Sequence, residues 1–309
     1  MTDVGRLLAG VDEAGYGPLM GPLVTGCSAF DVPEEFDLRR LSQQWKALDI
    51  EVGDSKKIYS QGGLKSLERM VLPFLSLKEG IPERLVDLLD RVGCDRDEWK
   101  TYPWYSGGGP CLPYSAQREE IEERIKILRA SLMNSEVSWA GVRCRSVYVG
   151  EFNRRVKGSN KGWLLARISG ELLQWAASLG KGSAKDEVQC DRQGGRKYYG
   201  ELLQYLFDEK PRVLEEGPAH SEYILDLADR KLKVSFTVDG DANSPAVGLA
   251  SMVCKYVREL HMSMINAYWL ERYPHLEPTA GYYEDGKRFL EDIDEGLNDE
   301  LRALLVRSR

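Results

Sequence analysis

The chain has 309 residues, with 49 acidic against 42 basic side chains and a formal net charge of −7. At roughly 100–200 residues per domain, this length allows one large domain or two modest ones. The 42 % apolar and 29 % charged residues are typical of a soluble globular protein with a buried core. No apolar run approaches the ~18 residues of a membrane span, and the first residues lack a signal-peptide pattern. We therefore expect a cytoplasmic protein that is neither membrane-spanning nor secreted.

The cysteines are scattered along the chain without a C-x-x-C pair. A zinc site or a disulfide framework needs closer, patterned spacing. We predict reduced thiols that mostly fill the core, at Cys27, Cys94, Cys111, Cys144, Cys190 and Cys254.

The N-terminal part of the chain predicts two neighbouring strands of one sheet. An apolar run from Leu7 ends in Asp12 and Glu13 and is followed by a glycine-rich turn, which is typical of a buried strand. Leu23–Val32 is a second strand-like run. A loop at 53–57 then leads into a helix predicted at 64–77.

Residues 78–140 differ in character from the segments on either side. The Gly- and Pro-rich segment 102–110 cannot be regular structure for long. Apolar residues then recur at helical spacing, at Ile121, Ile125, Leu128 and Leu132. We predict a largely helical insertion at 78–140. Its aromatic residues at 102–105 suit stacking on bases, but packing against their own domain is the favoured interpretation.

Strands and helices alternate through the rest of the chain. We predict strands at 145–150, 188–191, 222–225 and 231–238, and helices at 163–175 and 199–207. Ser244 and Pro245 open a long helix, since serine caps helices and proline suits the first helical position. This alternation indicates an α/β sheet fold.

Carboxylates stand where such a sheet places its ligand site. Asp12, Glu13 and Asp191 end predicted strands, and Asp241 precedes the long helix. Acidic groups gathered there repel one another unless a cation neutralises them, and oxygen ligands favour Mg²⁺ or Mn²⁺. Two such ions can support phosphodiester cleavage. The histidines show no zinc-type spacing, so a hydrolase of this sequence would have to use carboxylates and a metal. Taken singly, each acid also has a structural explanation, as a turn residue, a loop cap or a helix N-terminal charge.

Several motifs, in order, resemble the signatures of ribonuclease HII, the type 2 ribonucleases H. The segment GVDEAGYGPLMGP at 10–22 is similar to the N-terminal signature of that family, and DSKK follows at 54–57. Gly240-Asp241 and the segment ASMVCKYVRE at 250–259 resemble its glycine–aspartate and helix motifs. Further similarity, weak for the first two segments, lies at 151–153, 160–161, Tyr273-Pro274 and Gly281-Tyr282.

The resemblance implies a ribonuclease H-like mixed sheet flanked by helices, with a site for two Mg²⁺ or Mn²⁺ ions. Residue-by-residue correspondence implies that the catalytic metal ligands are Asp12, Glu13, Asp191 and Asp241. Asp239 competes for the last position, but the spacing to Ser251 favours Asp241. The glycine-rich turn at Gly15, Tyr16 and Gly17 would contact the substrate backbone through main-chain amides. Lysines that would steer phosphates, and a tyrosine that would pack on the sugar, are Lys56, Lys57, Lys255 and Tyr282.

The activity that this resemblance implies is hydrolysis of RNA in RNA–DNA hybrids or at ribonucleotides embedded in DNA. Attack by an activated water would leave a 3′-hydroxyl and a 5′-phosphate, and the partner would be nucleic acid, with no membrane and no obligate protein partner. Two alternatives stay open: a nuclease of altered specificity, for instance for structured DNA, and a catalytically idle binding protein. Departures from the family pattern favour these alternatives, namely Tyr16 in place of Arg or Lys, Glu259 in place of Asp, and Glu284 and Lys287 after the closing motif.

We predict one catalytic domain over 1–309, with a second, smaller insertion at 197–235. The acidic net charge averages two unlike segments. Between residues 141 and 167 Glu151 is the only acid among seven basic residues, whereas residues 284–300 hold eight acids against Lys287 and Arg288. The net charge therefore does not exclude a nucleic-acid substrate.

Overall fold

A mixed β-sheet forms the centre of the protein, as seen in a computed structural model that describes residues 5–228 and 230–308. Over these residues its strands are β1 (Arg6–Ala14), β2 (Leu23–Val32), β3 (Ser138–Val147), β4 (Glu187–Asp191), β5 (Arg212–Glu216), β6 (His220–Leu227) and β7 (Arg230–Thr237). Their spatial order is β3-β2-β1-β4-β7-β6-β5. The pairs β1–β4 and β4–β7 are parallel, and the other pairs are antiparallel. The predicted α/β fold with a mixed sheet is confirmed.

Helices cover both faces of this sheet. They are α1 (Leu38–Ala47), α2 (Ser55–Leu75), α3 (Leu85–Arg91), α4 (Arg118–Asn134), α5 (Val149–Val156), α6 (Lys161–Ser178), α7 (Gly200–Phe207), α8 (Gly240–Asn243), α9 (Pro245–Arg272), α10 (Tyr283–Asp292) and α11 (Asp299–Leu305). Short 3₁₀ turns occur at Trp99–Thr101, Pro103–Gly108 and Asp294–Gly296. Within the described ranges, none of the helices is long and apolar enough to cross a membrane.

The longest helix, α9, packs directly on the first strand. Its start is as predicted: the Ser244 hydroxyl accepts a hydrogen bond from the Val247 amide at 3.3 Å, and Pro245 takes the first helical position. A Cβ added at Gly10 of β1 would lie 2.1 Å from the Val247 nitrogen. Because Gly10 has no side chain, the helix backbone can lie against the strand, and α9 is held close to the end of β1.

The opposite face of the sheet is covered by α6 and α7. Val11, Val188 and Phe236, from three adjacent strands, are buried there in one apolar cluster with side chains of both helices. Since successive side chains of a strand point to opposite faces, the neighbours of these residues point toward the α9 side. This alternation decides which strand-end carboxylates share a face.

The segment predicted as an insertion is mainly helical and is buried against the body of the protein. Trp99, Tyr102, Trp104 and Tyr105 are at most 6 % exposed and belong to the same core cluster as α9. The prediction that the aromatic residues at 102–105 pack within their own domain is confirmed, and their burial prevents stacking on bases. The limits of the two predicted insertions stay predictions, and residue 229 of the second lies outside the described residues.

Some predicted elements differ from the observed ones. The strand predicted at 145–150 ends at Val147, because Tyr148 is the N-cap of α5, whose Gly150 amide donates to the Tyr102 hydroxyl at 2.9 Å. The helix predicted at 64–77 begins at Ser55, where the Asp54 side chain caps it, and is interrupted at Gly62 and Gly63. The contact between Tyr102 and Gly150 joins distant segments, which local periodicity cannot predict. The Asp54 cap is local, but apolar periodicity does not detect it.

The cysteines are free, and all except the exposed Cys111 are buried. Burial raises the pKa of Cys94 to about 12, so this thiol stays protonated near neutral pH. The prediction that these thiols mostly fill the core is confirmed, and their reduced state stays a prediction.

Candidate active site

Three adjacent parallel strands bring acidic residues to one edge of the sheet. Val11 of β1 pairs with Cys190 of β4, so Asp12 and Asp191, which follow them, lie side by side. Asp191 pairs in turn with Thr237, the last residue of β7. The chain then turns into the short helix α8, which carries Asp241 in its first turn. The predicted carboxylates therefore meet at the carboxyl ends of β1, β4 and β7.

Asp12 is the most enclosed of the four carboxylates, with 7 % of its surface exposed. The Glu13 amide donates to Asp12 Oδ1 at 2.6 Å, and the Ser251 hydroxyl of α9 donates to the same carboxyl group. The Ser251 oxygen lies 3.0 Å from the hydroxyl of Ser55, at the start of α2. Asp12 is thus held by α9 and, through Ser251, is linked to the start of α2.

Asp191 is held by the backbone that follows β7. The Gly240 amide donates to Asp191 Oδ1 at 2.8 Å. A Cβ at Gly240 would lie 3.2 Å from the Asp191 Cα and 3.3 Å from this oxygen, which is tighter than most real Cβ contacts. Glycine at position 240 allows the carboxylate and the amide to approach, which explains why it precedes Asp241.

The pKa values of all four carboxyl groups are raised, in each case first by burial. The charges of Glu13 and Asp191 further raise the pKa of Asp12. Burial, followed by the charge of Asp191, raises the pKa of Glu13 to about 8. Burial raises the pKa of Asp191 to about 6, although its bond from Gly240 opposes the shift. Burial and the charge of Asp54 raise the pKa of Asp241. Burial and mutual repulsion therefore disfavour the ionised forms of these groups, and a bound cation would favour them.

The donors of this cluster are carboxylate oxygens, which suit a hard divalent cation such as Mg²⁺ or Mn²⁺. Within residues 5–228 and 230–308, the side-chain positions include no group of three His, Cys, Asp or Glu residues arranged to hold a metal ion. Asp239 is exposed and adopts a left-handed backbone conformation with φ of 53°, whereas Asp241 is half-buried. The residues that could hold a cation are Asp12, Glu13, Asp191 and Asp241.

Two buried arginines, Arg258 and Arg307, contact the glycine-rich turn after β1. Gly15 has φ of 82°, and a Cβ there would lie 2.5 Å from Arg258 Nε. Arg307 donates to the Gly15 carbonyl at 2.5 Å and, through Nε, to the Gly21 carbonyl at 2.8 Å. Burial, followed by the charge of Arg258, lowers the pKa of Arg307 to about 9. Only glycine fits position 15, because both the φ value and the arginine exclude a side chain.

Tyr16, the residue between the two glycines, packs toward the start of α6. The Lys161 ammonium lies 4.9 Å from the centre of its ring. Burial and the charge of Glu13 raise the pKa of the Tyr16 hydroxyl, while Arg196 lowers it. One cation from α6 and one from the loop after β4 therefore lie close to Tyr16.

The predicted lysines occupy different surroundings. Lys56 lies close enough to lower the pKa values of both Glu13 and Asp241 by its charge. Lys57 pairs with Asp54 at 3.6 Å, and Lys255, with 12 % of its side chain exposed, pairs with Glu259 at 2.6 Å. The structure brings Lys56 to the carboxylates, whereas the charges of Lys57 and Lys255 are already paired.

Tyr282, the predicted sugar contact, is 48 % exposed at the start of α10. The Arg258 guanidinium lies 5.7 Å from the centre of its ring, so the arginine beneath the glycine-rich turn also supports this tyrosine. The Gly281 carbonyl accepts the Leu19 amide at 2.8 Å, which ties the segment before α10 to the same turn.

Sequence reasoning missed Ser251 as a partner of Asp12, and Arg258 and Arg307 as supports of the turn. Ser251 and Arg258 lie within the quoted 250–259 motif, so their position there was an available signal. Arg307 stands near the end of the chain, where the sequence has no pattern that links it to residues 15–21.

The fold and the site together define an α/β protein in which a cluster of carboxylates, suited to a divalent cation, lies at one edge of the sheet beside a glycine-rich turn. Comparison with curated proteins finds ribonuclease HII of Lactobacillus acidophilus, 33 % identical over 93 residues, which are 30 % of this chain and 32 % of that protein. Ribonuclease HII of Lactobacillus gasseri is 34 % identical over 87 residues, 28 % of this chain and 29 % of that protein. The chain thus matches about a third of the length of these relatives. The resemblance to ribonuclease HII is confirmed over that part.

Comparison with solved structures finds the ribonuclease HII of Archaeoglobus fulgidus, in its complex with PCNA. The match covers 98 % of this chain and 94 % of the Archaeoglobus protein, with 14 % identity and a TM-score of 0.46. Bst-RNase HIII in complex with Mn²⁺ covers 97 % of this chain and 66 % of its own, with 15 % identity and a TM-score of 0.44. No protein-family model matches the chain.

Proposed function

We propose that this chain is a divalent-metal-dependent endonuclease of the ribonuclease HII type. It would hydrolyse RNA in RNA–DNA hybrids, or a strand at a ribonucleotide embedded in DNA, and leave a 3′-hydroxyl and a 5′-phosphate. The observation that carries the proposal is the meeting of Asp12, Glu13, Asp191 and Asp241 at one sheet edge, directly before the glycine-rich turn. The partial similarity to curated ribonucleases HII supports it.

The four carboxylates would hold a pair of Mg²⁺ or Mn²⁺ ions. When bound, such ions activate water and stabilise the leaving oxygen in phosphodiester hydrolysis. Ser251 and the Glu13 amide orient Asp12 through hydrogen bonds, and the Gly240 amide orients Asp191. These hydrogen bonds restrict rotation of the two carboxyl groups before a cation binds, so less conformational entropy is lost on binding.

The turn at Gly15–Gly17 would bind the substrate backbone beside the carboxylates. Its amides can approach a phosphate or a 2′-hydroxyl closely, and the 2′-hydroxyl is the group that distinguishes RNA from DNA. Lys56 would add positive charge next to Glu13 and Asp241, and the exposed ring of Tyr282 would pack on a sugar. Lys57 and Lys255 would contact phosphates only by exchanging their present carboxylate partners.

The test is a cleavage assay on a DNA duplex that carries one ribonucleotide, alongside a continuous RNA–DNA hybrid. We expect cleavage at the ribonucleotide with Mg²⁺ or Mn²⁺ and none with EDTA. Asp12→Asn and Asp241→Asn should abolish it, because each removes an anionic ligand from the cluster. Asp239→Asn is the matched control, since this neighbouring acid is exposed, and it should retain activity.

Three results would contradict the proposal in different ways. Cleavage of all-DNA branched substrates in preference to ribonucleotide substrates would indicate a nuclease of altered specificity. Substrate binding without cleavage would indicate a catalytically idle protein. Full activity of Asp12→Asn would show that the site assignment is wrong.

A further inference from the structure

Exposed aromatic rings and cations form a surface beside the glycine-rich turn. We define this aromatic–cationic patch by Lys161 and Trp163 of α6, Arg196 of the loop after β4, and Tyr205 of α7. Trp163 is 41 % exposed and Tyr205 is 65 % exposed. Their ring centres are 6.2 Å apart, and the Arg196 guanidinium lies 5.6 Å from the centre of the Trp163 ring. Two large rings and a cation are therefore presented together to solvent.

Tyr16 connects this patch to the carboxylate site. Lys161 of the patch lies 4.9 Å from the centre of the Tyr16 ring. The loop that carries Arg196 also reaches this ring, since a Cβ at Gly194 would lie 3.5 Å from Tyr16 Cε1. Tyr16 lies three residues after Glu13 in the chain. The patch is thus continuous with the candidate active site through a single side chain.

The positive charge of the patch is available to a ligand. Across the described residues, neither Lys161 nor Arg196 forms an ion pair with an acidic side chain; their contacts are with aromatic rings. Two other cations of the same basic segment are paired elsewhere: Arg155 pairs with Glu151 at 2.8 Å, and Arg154 pairs with Glu98. An anionic strand would find unpaired cations at the patch.

We propose that the aromatic–cationic patch binds an unpaired segment of the nucleic-acid strand that leads away from the carboxylate site. Trp163 and Tyr205 stack on bases, and Arg196 and Lys161 contact phosphates. Unpaired bases fit best, because their faces are free to stack on aromatic side chains whereas those of a duplex are covered by neighbouring bases. The inference rests on the proposed function, because it takes a nucleic-acid strand as the occupant.

The first test measures binding of a fluorescein-labelled single-stranded DNA to the full chain in EDTA, where no cleavage can occur. Trp163→Ala and Tyr205→Ala should each weaken binding about tenfold, the usual effect of removing one stacking ring. Arg196→Gln should lower the slope of log affinity against log salt by about 0.7. Tyr114→Ala is the matched control, since Tyr114 is 49 % exposed in the region predicted as the first insertion, and it should bind like wild type.

The second test uses the ribonucleotide duplex with and without a single-stranded extension on either side. Wild type should show a lower KM for one extended duplex than for the blunt one, and Trp163→Ala should lose that difference. Equal strand affinity in wild type, Trp163→Ala and Tyr205→Ala, with melting temperatures unchanged, would overturn the inference. Strand binding that depends on Trp163 without any cleavage would refute the proposed function alone. Cleavage with no effect of the patch variants would refute this inference alone.

Discussion

At the residue scale, the protein keeps one histidine neutral inside its core. His261 is fully buried, its Nδ1 donates to the Val257 carbonyl at 2.7 Å, and the rings of Trp99, Tyr105 and Tyr148 surround it. Burial, together with the charge of Arg258, lowers its pKa from 6.5 to about 4. Protonation would place a charge among aromatic rings, which this environment cannot solvate.

We expect His261 to make the protein acid-sensitive. Because its pKa is lower in the folded than in the unfolded state, the unfolded chain binds more protons between pH 6.5 and 4, and stability falls as pH falls through that window. The loss should reach about 3 kcal/mol by pH 4. Urea unfolding of wild type and His261→Phe at several pH values measures it, and the variant should lose less stability on acidification.

His275→Phe is the matched control for this effect, since His275 is exposed. It should show the same acid dependence as wild type. If His261→Phe and wild type had parallel stability curves from pH 6.5 to 4, burial of His261 would not be the cause.

At the element scale, one buried carboxylate joins α2 to the segment before α4. Glu68 is fully buried, and its oxygens accept the amides of Tyr114, Ser115 and Ala116 at 2.6–2.7 Å. The Tyr256 hydroxyl of α9 donates to Glu68 Oε1 at 2.6 Å. A single side chain therefore fixes a loop, α2 and α9 relative to one another.

Glu68→Ala should destabilise the fold by roughly 3–5 kcal/mol, because several buried donors lose their acceptor at once. Glu68→Gln should cost less, since one amide oxygen remains to accept. The midpoint of urea unfolding measures both. Glu123→Ala, an exposed acid on α4, is the control and should change stability by less than about 0.5 kcal/mol; a similar cost for both Ala variants would contradict this role of Glu68.

At the scale of the whole molecule, residues 306–307 contact the glycine-rich turn and the residues that follow it, at 15–21. Arg307 is 4 % exposed, and its guanidinium donates to the carbonyls of Gly15 and Gly21. Met20 forms an isolated bridge with Val306, and the Arg307 amide donates to the Leu19 carbonyl at 2.9 Å. The glycine-rich turn is thus supported by residues almost three hundred positions away.

Arg307→Ala should loosen the turn without unfolding the sheet. We expect faster hydrogen exchange at amides 15–22 and a melting temperature lowered by several degrees, since the loss of a buried donor leaves carbonyls unpaired. Arg307→Lys should rescue only partly, because an ammonium cannot reproduce the forked geometry. Arg302→Ala removes an exposed pair with Asp294 and should leave exchange at the turn unchanged; equal exchange in Arg307→Ala and wild type would contradict the role of Arg307.

Charge also has to be considered over the whole molecule. The basic segment at 141–167 is less free than its composition indicates, because Arg145 and Arg155 both pair with Glu151. Among the described residues, Lys161 and, from a distant segment, Arg196 contact aromatic rings and form no ion pair with an acidic side chain. Net charge and segment charge therefore describe the surface less well than the pairing of individual side chains does.

The sequence by itself determined the α/β class, most strands and helices, and the acidic residues at the strand ends. These features depend on local physical chemistry: periodic apolar residues, the Ser244–Pro245 helix start, and glycines where the backbone must turn or approach closely. The motif around Asp12 and Glu13 also carried its family resemblance within one short segment.

Only the tertiary structure decided which groups meet. The supports at Ser251, Arg258 and Arg307, the burial of the aromatic residues at 102–105 and the exposure of Trp163 and Tyr205 all depend on contacts between segments far apart in the chain. Local spacing cannot predict such contacts, because they are set by strand register and by the packing of helices on the sheet. Exposure and pairing of a side chain are therefore properties of the folded molecule rather than of the sequence segment that contains it.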